Sequence, residues 1–553
     1  MITPSLVSMV LHSVWATSEH LRSDKSYAGM GELIDRLHES LQRFPSPTNP
    51  EIPVVARTSN PATALDYFGD RIRISHSDSP AGSFFWGRLP VDLLVGFMRD
   101  RKEVAAKQEY VDLGTRVKRQ SSGGTLVSDC QSLIKNAATG TVAVTVAMVD
   151  SGKTVHGSSP EDFGGKLVHA RTTDLEMSDH ALAVLKILLE RLDGHGKISQ
   201  TRFLASLFTP PTAPVGSTCF KHAGAVELLD ALDDLLLAIK KHSEPAVITM
   251  SLGTHVGPHN GDSPLEEYIA SHFSPSSSRY FHAAAGNDGL SGIAGRLELT
   301  ADLRDFLRLQ TGPSHGPELL VEFWWEEITG AALSIAAAVS ERSGKPVFAT
   351  PVRINSSRPK TTMTRAAASP TGVLCETLMH ARCKGNMNCA ALALSNAGGA
   401  ALPTLDIEFT LESTVDITVG AWIVVGGGSQ SAFIEGGSSG TICVPASAPE
   451  VLCVSGITGT NKPWARSSRG PVGDYGSHTP VSAPRLAHLV QYRRGGRMGT
   501  SYACPRAAAD AANVLSPPLA AKCATLDDLA REVFSVAKLP AWNPRTGYGE
   551  IDK

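Results

Sequence analysis

A serine at the entrance of an alanine-rich helix is the feature that most constrains this chain. Residues 499–512 read Gly-Thr-Ser-Tyr-Ala-Cys-Pro-Arg-Ala-Ala-Ala-Asp-Ala-Ala. Small residues let other groups approach Ser501 closely, and Pro505 suits the first turn of a helix, where its missing N–H costs little. The alanine run favours a helix buried against a sheet. We predict that the Ser501 hydroxyl is exposed where a loop enters this helix; an ordinary capping serine is the alternative.

An aspartate follows a short apolar run much earlier in the chain. Residues Thr141 to Val149 are apolar or β-branched, and Asp150 comes directly after them. Such a run predicts a parallel strand buried on both faces. An aspartate at its carboxyl end lies where open α/β sheets place their functional sites. Taken alone, Asp150 is also compatible with a simple turn that ends the strand.

A histidine begins the next predicted helix. Residues 178–189 read Ser-Asp-His-Ala-Leu-Ala-Val-Leu-Lys-Ile-Leu-Leu, a capped and mostly apolar helix with His180 in its first turn. The other histidines of this region, His156, His169 and His195, are not followed by a long apolar helix. A helix-cap or surface histidine is the alternative interpretation of His180.

Two further runs predict strands that end in small residues. Arg279 to Ala285 is followed by Gly286 and Asn287, and Ala246 to Met250 is followed by Ser-Leu-Gly. Glycine and asparagine both tolerate positive φ, so an ordinary turn is the alternative interpretation of the first of these strand ends.

Together these stretches resemble, in the same order, the motifs of subtilisin-like serine proteases (subtilases). Residues 499–505 resemble the family's Gly-Thr-Ser-x-Ala-x-Pro signature, residues 147–152 its aspartate motif and residues 284–287 its Ala-Ala-Gly-Asn motif. The family usually has His-Gly-Thr where this chain has His-Ala-Leu at His180. The resemblance implies an α/β fold, subtilisin-like, with a mostly parallel sheet flanked by helices.

The resemblance also implies a chemistry for the matched residues. Asp150, His180 and Ser501 would form the catalytic triad, and Asn287 with the Ser501 N–H would hold the oxyanion. The implied activity is serine endopeptidase hydrolysis of a protein or peptide through an acyl-enzyme, and the alternative is an impaired pseudoprotease that acts as a binding or regulatory scaffold. The residues expected to border the substrate are Ser251, Leu252, Gly253, Ala284 and Ala285.

The N-terminal third divides into three predicted parts. Residues 1–50 are predicted to be helical and to end in a proline-rich linker, because three prolines between 45 and 50 cannot continue a helix. Residues 51–115 predict a β-α-β-β-α-β unit that resembles subtilase prodomains, which implies autoinhibition; an unrelated ferredoxin-like module is the alternative. The elements of this unit are predicted at Ile52–Thr58, Ala62–Phe68, Arg71–His76, Ser83–Leu89, Val91–Arg99 and Val104–Val111. Residues 116–138 are predicted to be a linker.

The rest of the chain is predicted to be a subtilase domain in two parts, 139–292 and 437–553, separated by an inserted domain at 293–436. Many short strand-like runs in the insertion predict a β-sandwich, which resembles the jelly-rolls of some bacterial subtilases. Gating of a cleft, binding of a partner and structural support all stay open as its role. The predicted strands are Leu319–Trp325, Ala332–Val339, Pro346–Thr350, Leu405–Leu411 and Val415–Val425.

Charge and cysteine content limit the classes of binding partner and the cellular compartment that we expect for this chain. The net charge of −3, without a long polybasic tract, argues against nucleic acid, and no apolar run is long enough to span a membrane. The first residues lack the basic region of a secretory signal. Nine cysteines, an odd number, are mostly predicted to be buried thiols, which fits a cytoplasmic protein. A regulatory protein partner is compatible with such a protease.

Two expectations concern cofactors and reactivity. We expect no required cofactor and no metal site, because no acidic cluster stands out; calcium, common in the family, is the one ion that the resemblance leaves open. Cys504 lies three residues after Ser501, which predicts sensitivity of the site to thiol reagents.

Overall fold

The computed structural model describes residues 51–537 apart from several internal stretches. Those stretches are 59–60, 76–82, 91–92, 94–104, 108–109, 113–122, 136–140, 154–166, 170–175, 209–221, 274, 313–317, 329–330, 356–361, 366–371, 381–386, 397–400, 426–430, 437–439, 460–461, 474, 476–483, 493–496 and 517–522. The predictions for residues 1–50 and for His156, and most of the helix predicted at 91–99, therefore lie outside the described residues.

Seven helices and twenty-five strands lie in the described residues. The helices are α1 (Pro61–Phe68), α2 (Gly123–Ile134), α3 (Asp179–Gly194), α4 (Ala225–Ile239), α5 (Pro264–His272), α6 (Thr500–Leu515) and α7 (Leu526–Ala537). The strands are β1 (Glu51–Thr58), β2 (Ile72–Ser75), β3 (Ser83–Pro90), β4 (Ala105–Lys107), β5 (Tyr110–Asp112), β6 (Val144–Lys153), β7 (Leu167–His169), β8 (Glu176–Met177), β9 (Thr201–Phe208), β10 (His222–Gly224), β11 (Ala246–Met250), β12 (Arg279–Ala284), β13 (Ala294–Leu299), β14 (Arg304–Thr311), β15 (Glu318–Glu326), β16 (Leu333–Glu341), β17 (Val352–Asn355), β18 (Thr362–Arg365), β19 (Val373–His380), β20 (Met387–Asn396), β21 (Leu405–Ser413), β22 (Ile417–Val425), β23 (Ser431–Phe433), β24 (Val451–Ile457) and β25 (Leu486–Leu489).

A parallel sheet forms the centre of the molecule, in the order β25-β24-β12-β11-β6-β9-β7. Its neighbouring strands all pair in parallel, and the short β8 pairs antiparallel with the end of β6. Every residue of β11 and β24 is buried, as expected when helices cover both faces of a sheet. One apolar cluster covers each face. The mixed α/β architecture expected from the sequence is therefore present.

Helices α3 and α6 pack side by side in the cluster on one face of this sheet. Helix α3 begins after Ser178, whose hydroxyl accepts a hydrogen bond from the Ala181 N–H at 3.1 Å, a standard N-cap. Helix α6 begins at Thr500, so Pro505 is its sixth residue and lies inside the helix rather than in the predicted first turn. The Ser501 carbonyl, four residues before this proline, accepts the Ser251 hydroxyl at 2.9 Å instead of a helical N–H. Its buried alanines have short side chains, so the neighbouring backbones can approach closely.

Three segments differ from the sequence predictions. Strand β6 does not end before Asp150 but runs to Lys153, because Asp150 still pairs with Leu207 of β9. The predicted linker 116–138 contains α2, whose Cys130 and Ile134 are buried in the same cluster as α3. Residues 346–350 are not a strand: Pro346 makes one isolated bridge to Ser340, and regular pairing starts only at Val352 in β17.

The N-terminal sheet is antiparallel, in the order β2-β3-β1-β4. The strand predicted at 104–111 is divided, because β4 pairs with β1 whereas β5 pairs with β10. Arg73 of β2 makes ion pairs with three aspartates of α4, and Arg88 of β3 pairs with Glu227. The Trp86 ring packs edge-on against Tyr268 of α5, with centroids 5.8 Å apart. Charge and aromatic contacts therefore join this sheet to the helices of the central sheet.

Strands β13 to β23 form two antiparallel sheets, here called the middle sheets. Their strand orders are β13-β22-β15-β20-β19-β18 and β17-β16-β21-β14-β23. Both sheets contribute to one apolar cluster, in which Phe323 of the first packs edge-on against Phe409 of the second, with centroids 5.0 Å apart. The division of the chain into an inserted jelly-roll-like domain at 293–436 and flanking subtilase parts stays a prediction.

Within the described part of the chain, no helix is long and apolar enough to cross a membrane.

A buried carboxylate joins the far ends of α3 and α6. Asp510 of α6 is fully buried, and its oxygens lie 2.5 Å from Arg191 Nε, 2.7 Å from His195 Nε2 and 3.1 Å from His488 Nε2. The Leu489 N–H donates to His488 Nδ1 at 2.7 Å, so the proton of a neutral His488 ring is on Nε2 and points to Asp510. Burial favours the neutral acid, but hydrogen bonds from these partners outweigh it and hold the pKa of Asp510 well below its usual range.

We expect Asp510→Asn to lower the free energy of unfolding by about 3–5 kcal/mol, because it leaves the Arg191 charge without its partner. A carboxyl group whose pKa is lowered by folding contributes fully to the free energy of unfolding at pH values above its pKa in the unfolded chain, which is near 4. This contribution is lost as the pH falls below that pKa. Chemical denaturation measures the free energy of unfolding of wild type and of Asp510→Asn. The difference between the two should therefore be largest at pH 7 and should decrease below pH 4. Asp66→Asn, at an exposed position of α1, is the matched control. Equal losses in both variants would contradict the expectation.

Candidate active site

Asp150 and His180 form a hydrogen-bonded pair at one edge of the central sheet. Asp150 lies near the carboxyl end of β6, and His180 lies in the first turn of α3. His180 Nδ1 is 3.0 Å from each carboxylate oxygen of Asp150. Asp150 is only 2% exposed and also accepts the Ser151 N–H at 2.7 Å. The carboxylate therefore fixes the orientation of the imidazole and directs its Nδ1 proton inward.

The environment of His180 favours its charged form. Burial lowers the pKa of the His180 ring, but the charge of Asp150 and the hydrogen bond to it outweigh burial, so the net pKa is raised above the ordinary value of 6.5. Arg497 opposes this increase through its positive charge. The pair is thus electrostatically suited to accept a proton on Nε2.

Ser501 is the second residue of α6 and lines an open cleft. Its hydroxyl donates to the Ser251 carbonyl oxygen at 3.2 Å, and the Ser251 hydroxyl donates to the Ser501 carbonyl oxygen at 2.9 Å. Among the described residues, no hydrogen bond joins the Ser501 hydroxyl to His180, although the next residue, Tyr502, has its ring 6.1 Å from the His180 ring. Hydrogen bonds of this kind are often long in free enzymes and tighten when substrate binds.

Asn287 presents its amide nitrogen to the same cleft. Its Oδ1 accepts the Thr500 N–H at 2.9 Å and the Thr500 hydroxyl at 3.2 Å, which identifies the oxygen of the amide group. Its Nδ2 makes no hydrogen bond within the part of the chain that the structure describes. Gly286 precedes it at φ +107, where a β-carbon would lie 2.7 Å from Ser468 Oγ, so only glycine fits this turn.

The cleft contains four of the five residues that the sequence predicts at its border. Ser251, Leu252, Gly253 and Ala284 line it, but Ala285 does not. Ala285 is fully buried, because its N–H donates to the Val454 carbonyl and its carbonyl accepts the Cys443 N–H. The lining residues that sequence reasoning missed are His255, Gly286, Asp288, Cys443 and Thr500.

The rival histidines that the structure describes lie elsewhere. His195 binds Asp510, and His169 belongs to β7 at the end of the central sheet. Of the two candidates whose side chains the structure describes, His180 and His195, only His180 pairs with Asp150.

The described cysteines are free and buried, and no group of three or more metal-binding side chains occurs among the described residues. These cysteines are Cys130, Cys375, Cys389, Cys443, Cys453, Cys504 and Cys523; Cys219 and Cys383 lie outside the described residues. Cys504 is fully buried beneath Ser501, 3.3 Å from Thr249 Oγ1. The expected sensitivity of the site to thiol reagents through Cys504 does not fit this burial.

We expect the His180 ring to titrate above pH 6.5, because Asp150 stabilises its cation. Asp150→Asn removes the negative charge and should move the titration midpoint to lower pH. Nuclear magnetic resonance of protein with labelled histidine measures both midpoints, and loss of the signal in His180→Ala assigns it. A wild-type midpoint below the ordinary value, or the same midpoint in Asp150→Asn, would contradict the electrostatic role of Asp150.

We expect Cys504 to stay unmodified when the native protein is treated with iodoacetamide at pH 8. Burial raises the pKa of its thiol to about 12, so almost no reactive thiolate is present, and the sulfur is out of contact with solvent. Mass spectrometry of the native protein and of a urea-denatured control measures the difference. Rapid alkylation of native Cys504 would show that α6 opens readily.

Comparison with known proteins gives a structural likeness and no sequence match. No family model and no curated protein sequence matches the chain. The structure of the Clostridium perfringens CspB protease aligns with a TM-score of 0.52 at 16% identity, over 74% of this chain and 92% of that chain. A mutant of the epidermin leader peptide processing serine protease EpiP from Staphylococcus aureus aligns with a TM-score of 0.38 at 11% identity, over 91% and 98%. The prenylagaramide maturation protease PagA aligns with a TM-score of 0.31 at 15% identity, over 77% and 90%. The first likeness shows that this chain has the fold of a protease.

Proposed function

We propose that the chain is a subtilisin-like serine endopeptidase with the triad Asp150, His180 and Ser501. His180 Nε2 takes the Ser501 proton, Asp150 holds the ring and stabilises its cation, and the Ser501 oxygen attacks a peptide carbonyl. The Asn287 amide and the Ser501 N–H stabilise the oxyanion, a contribution of about 3–4 kcal/mol for one such donor. Water then releases the acyl-enzyme.

The observation that carries this proposal is that three prepared groups lie near one another: Ser501 and Asn287 line the cleft, and the His180 ring lies 6.1 Å from the ring of Tyr502, the residue after Ser501. His180 is held by both oxygens of Asp150, Ser501 begins a buried helix, and Asn287 has its oxygen engaged and its amide nitrogen free of partners in the described residues. A Gly-Asn turn or a capping serine with only a structural role would not require the other two groups to be nearby. The fold shared with a protease supports the same conclusion.

One movement is required before the chemistry. The Ser501 hydroxyl, which donates to the Ser251 carbonyl, has to turn toward His180. We propose that the Ser501 side chain rotates between staggered positions to make this contact and that substrate in the cleft favours the rotation. This chain has Leu182 where the family usually has threonine. Leu182 is buried in the apolar cluster between the helices and the sheet, so its side chain does not contribute to this movement.

The N-terminal sheet is proposed to act as a prodomain-like restraint. Its contacts with α4 combine Arg73 and Arg88 with acidic partners, and Trp86 donates to Asp230 at 2.7 Å. Such a restraint would keep a cytoplasmic protease inactive until it is needed, and a regulatory protein partner is one way to release it. We propose protein or peptide substrates and no required cofactor, with calcium as the one ion left open by the family resemblance.

Labelling with a fluorophosphonate probe tests the triad. We expect the wild-type chain to be labelled, and Ser501→Ala and His180→Ala to lose labelling, because the probe reacts only with an activated serine. Asn287→Ala should keep the label but lower its rate by about 100-fold or more. Ser343→Ala and His242→Gln, at positions away from the cleft, are the matched controls and should label as wild type does.

The same measurement separates the alternative function. If the folded chain is not labelled, before or after removal of residues 1–107, a truncation that leaves α2 in place, the pseudoprotease that uses the same cleft for binding is the better description. Labelling that persists in His180→Ala would instead contradict the assignment of the base.

A further inference from the structure

The cleft beside Ser501 contains one carboxylate, that of Asp288. Its side chain is 30% exposed and follows Asn287, and its Oδ2 lies 3.2 Å from His255 Nε2. Its Oδ1 makes no hydrogen bond within the described residues. No lysine or arginine is among the described residues that line the cleft. Asp288 Oδ1 is therefore a carboxylate oxygen at the cleft without a lysine or arginine partner among these lining residues.

The hydrogen bond to His255 sets the direction of this carboxylate. His255 is only 9% exposed, and its buried Nδ1 has no hydrogen-bond partner among the described residues. A carboxylate oxygen accepts hydrogen bonds, so His255 Nε2 carries the proton of the bond to Asp288. That proton is donated to Asp288 Oδ2, which leaves Oδ1 to a ligand in the cleft.

A stack of three rings fixes His255 from outside the central sheet. The His255 ring lies 5.5 Å from the His259 ring, which lies 4.4 Å from the Trp422 ring of β22 at an interplanar angle of 13°. Burial, followed by the charge of His255, lowers the pKa of His259 to about 3, so the middle ring stays neutral. Trp422 is itself anchored by a hydrogen bond from its Nε1 to the Gly440 carbonyl at 3.0 Å.

Strand β15 of the middle sheets and residues after β23 together hold the loop of residues 255–259. Glu322 of β15 accepts the Gly257 N–H at 3.0 Å, and the Tyr475 hydroxyl donates to the Pro258 carbonyl at 2.7 Å. His259 has φ +54, a conformation that residues with side chains rarely adopt. Its Nδ1 lies 2.7 Å from the Ile442 carbonyl oxygen, so surrounding contacts maintain this strained conformation. The loop is thus built to keep His255 in one place.

We propose that His255 and Asp288 form a specificity wall for a positively charged side chain, lysine or arginine, on the residue that contributes the scissile carbonyl. Trp422 is the positioning residue of this wall. The inference rests on the proposed function: Ser501 and Asn287 line the same cleft, so the side chain next to the attacked carbonyl enters it. A lysine or arginine there makes a charge-assisted hydrogen bond to Asp288 Oδ1.

Peptide binding tests this proposal without requiring turnover. The full chain with Ser501→Ala is titrated with fluorescent peptides that are identical except for lysine, leucine or glutamate at that position, and anisotropy gives each Kd. We expect the lysine peptide to bind about tenfold or more tightly than the leucine peptide, and the glutamate peptide to bind most weakly. Asp288→Asn, nearly the same size, should remove the preference for lysine.

The role of Trp422 is tested with matched tryptophan variants. Trp422→Leu should remove most of the lysine preference, whereas Trp422→Phe keeps a flat ring and should retain it. Trp325→Leu makes the same change at an equally buried tryptophan, whose ring belongs to the core between the middle sheets, and should leave the preference unchanged. If a tryptophan variant does not fold, Asp288→Asn still decides the substrate class.

Equal affinity for the three peptides, tightest binding of the leucine peptide, or no binding of any peptide would overturn the specificity wall. Equal effects of Trp422→Leu and Trp325→Leu would overturn the positioning role of Trp422. Fluorophosphonate labelling of the wild type is read separately. A chain that prefers the lysine peptide but does not react with the probe would contradict the proposed catalysis while leaving the wall intact.

Discussion

Close packing of α3 against α6 is the constraint on which the candidate site depends. Short side chains such as Ala181 and Ala508 let the two helices share one buried cluster on the central sheet. Since His180 begins the first helix and Ser501 begins the second, their separation is set by the backbone packing of these helices. A larger side chain in this seam would push the helices apart and cost about 1–3 kcal/mol of stability. It would also separate the base from the nucleophile.

The parallel sheet supplies the other half of the site. Strands β6, β11 and β12 run in the same direction, so their carboxyl ends meet at one edge. Asp150 lies three residues before the end of β6, whereas Ser251 and Asn287 follow β11 and β12. The arrangement agrees with the general rule that open α/β sheets place ligands at the carboxyl ends of their strands.

Local pattern predicted the elements that carry the site, but not the contacts between distant segments. The buried strands and the helices at His180 and Ser501 follow from apolar runs and caps, which are local signals. His255 and Asp288 lie in loops without periodicity, so nothing local marks them as neighbours of Ser501. The family resemblance predicts Ala285 at the cleft, but its N–H and its carbonyl bond to Val454 and Cys443 and its side chain is buried in the core. These differences all depend on tertiary packing.

Apolar packing alone would not fix how α3 and α6 are turned relative to each other, because it is not directional. Charged contacts at both ends of α3 fix how the two helices are turned relative to each other. At its start His180 is bound by Asp150, and near its end Arg191 and His195 are bound by Asp510 of α6. Because the starts of the two helices also lie together, they run in the same direction with one ion pair at each end of α3. Rotating either helix would break a buried charged contact, so the arrangement that keeps the His180 ring near the start of α6 is the one that these pairs select.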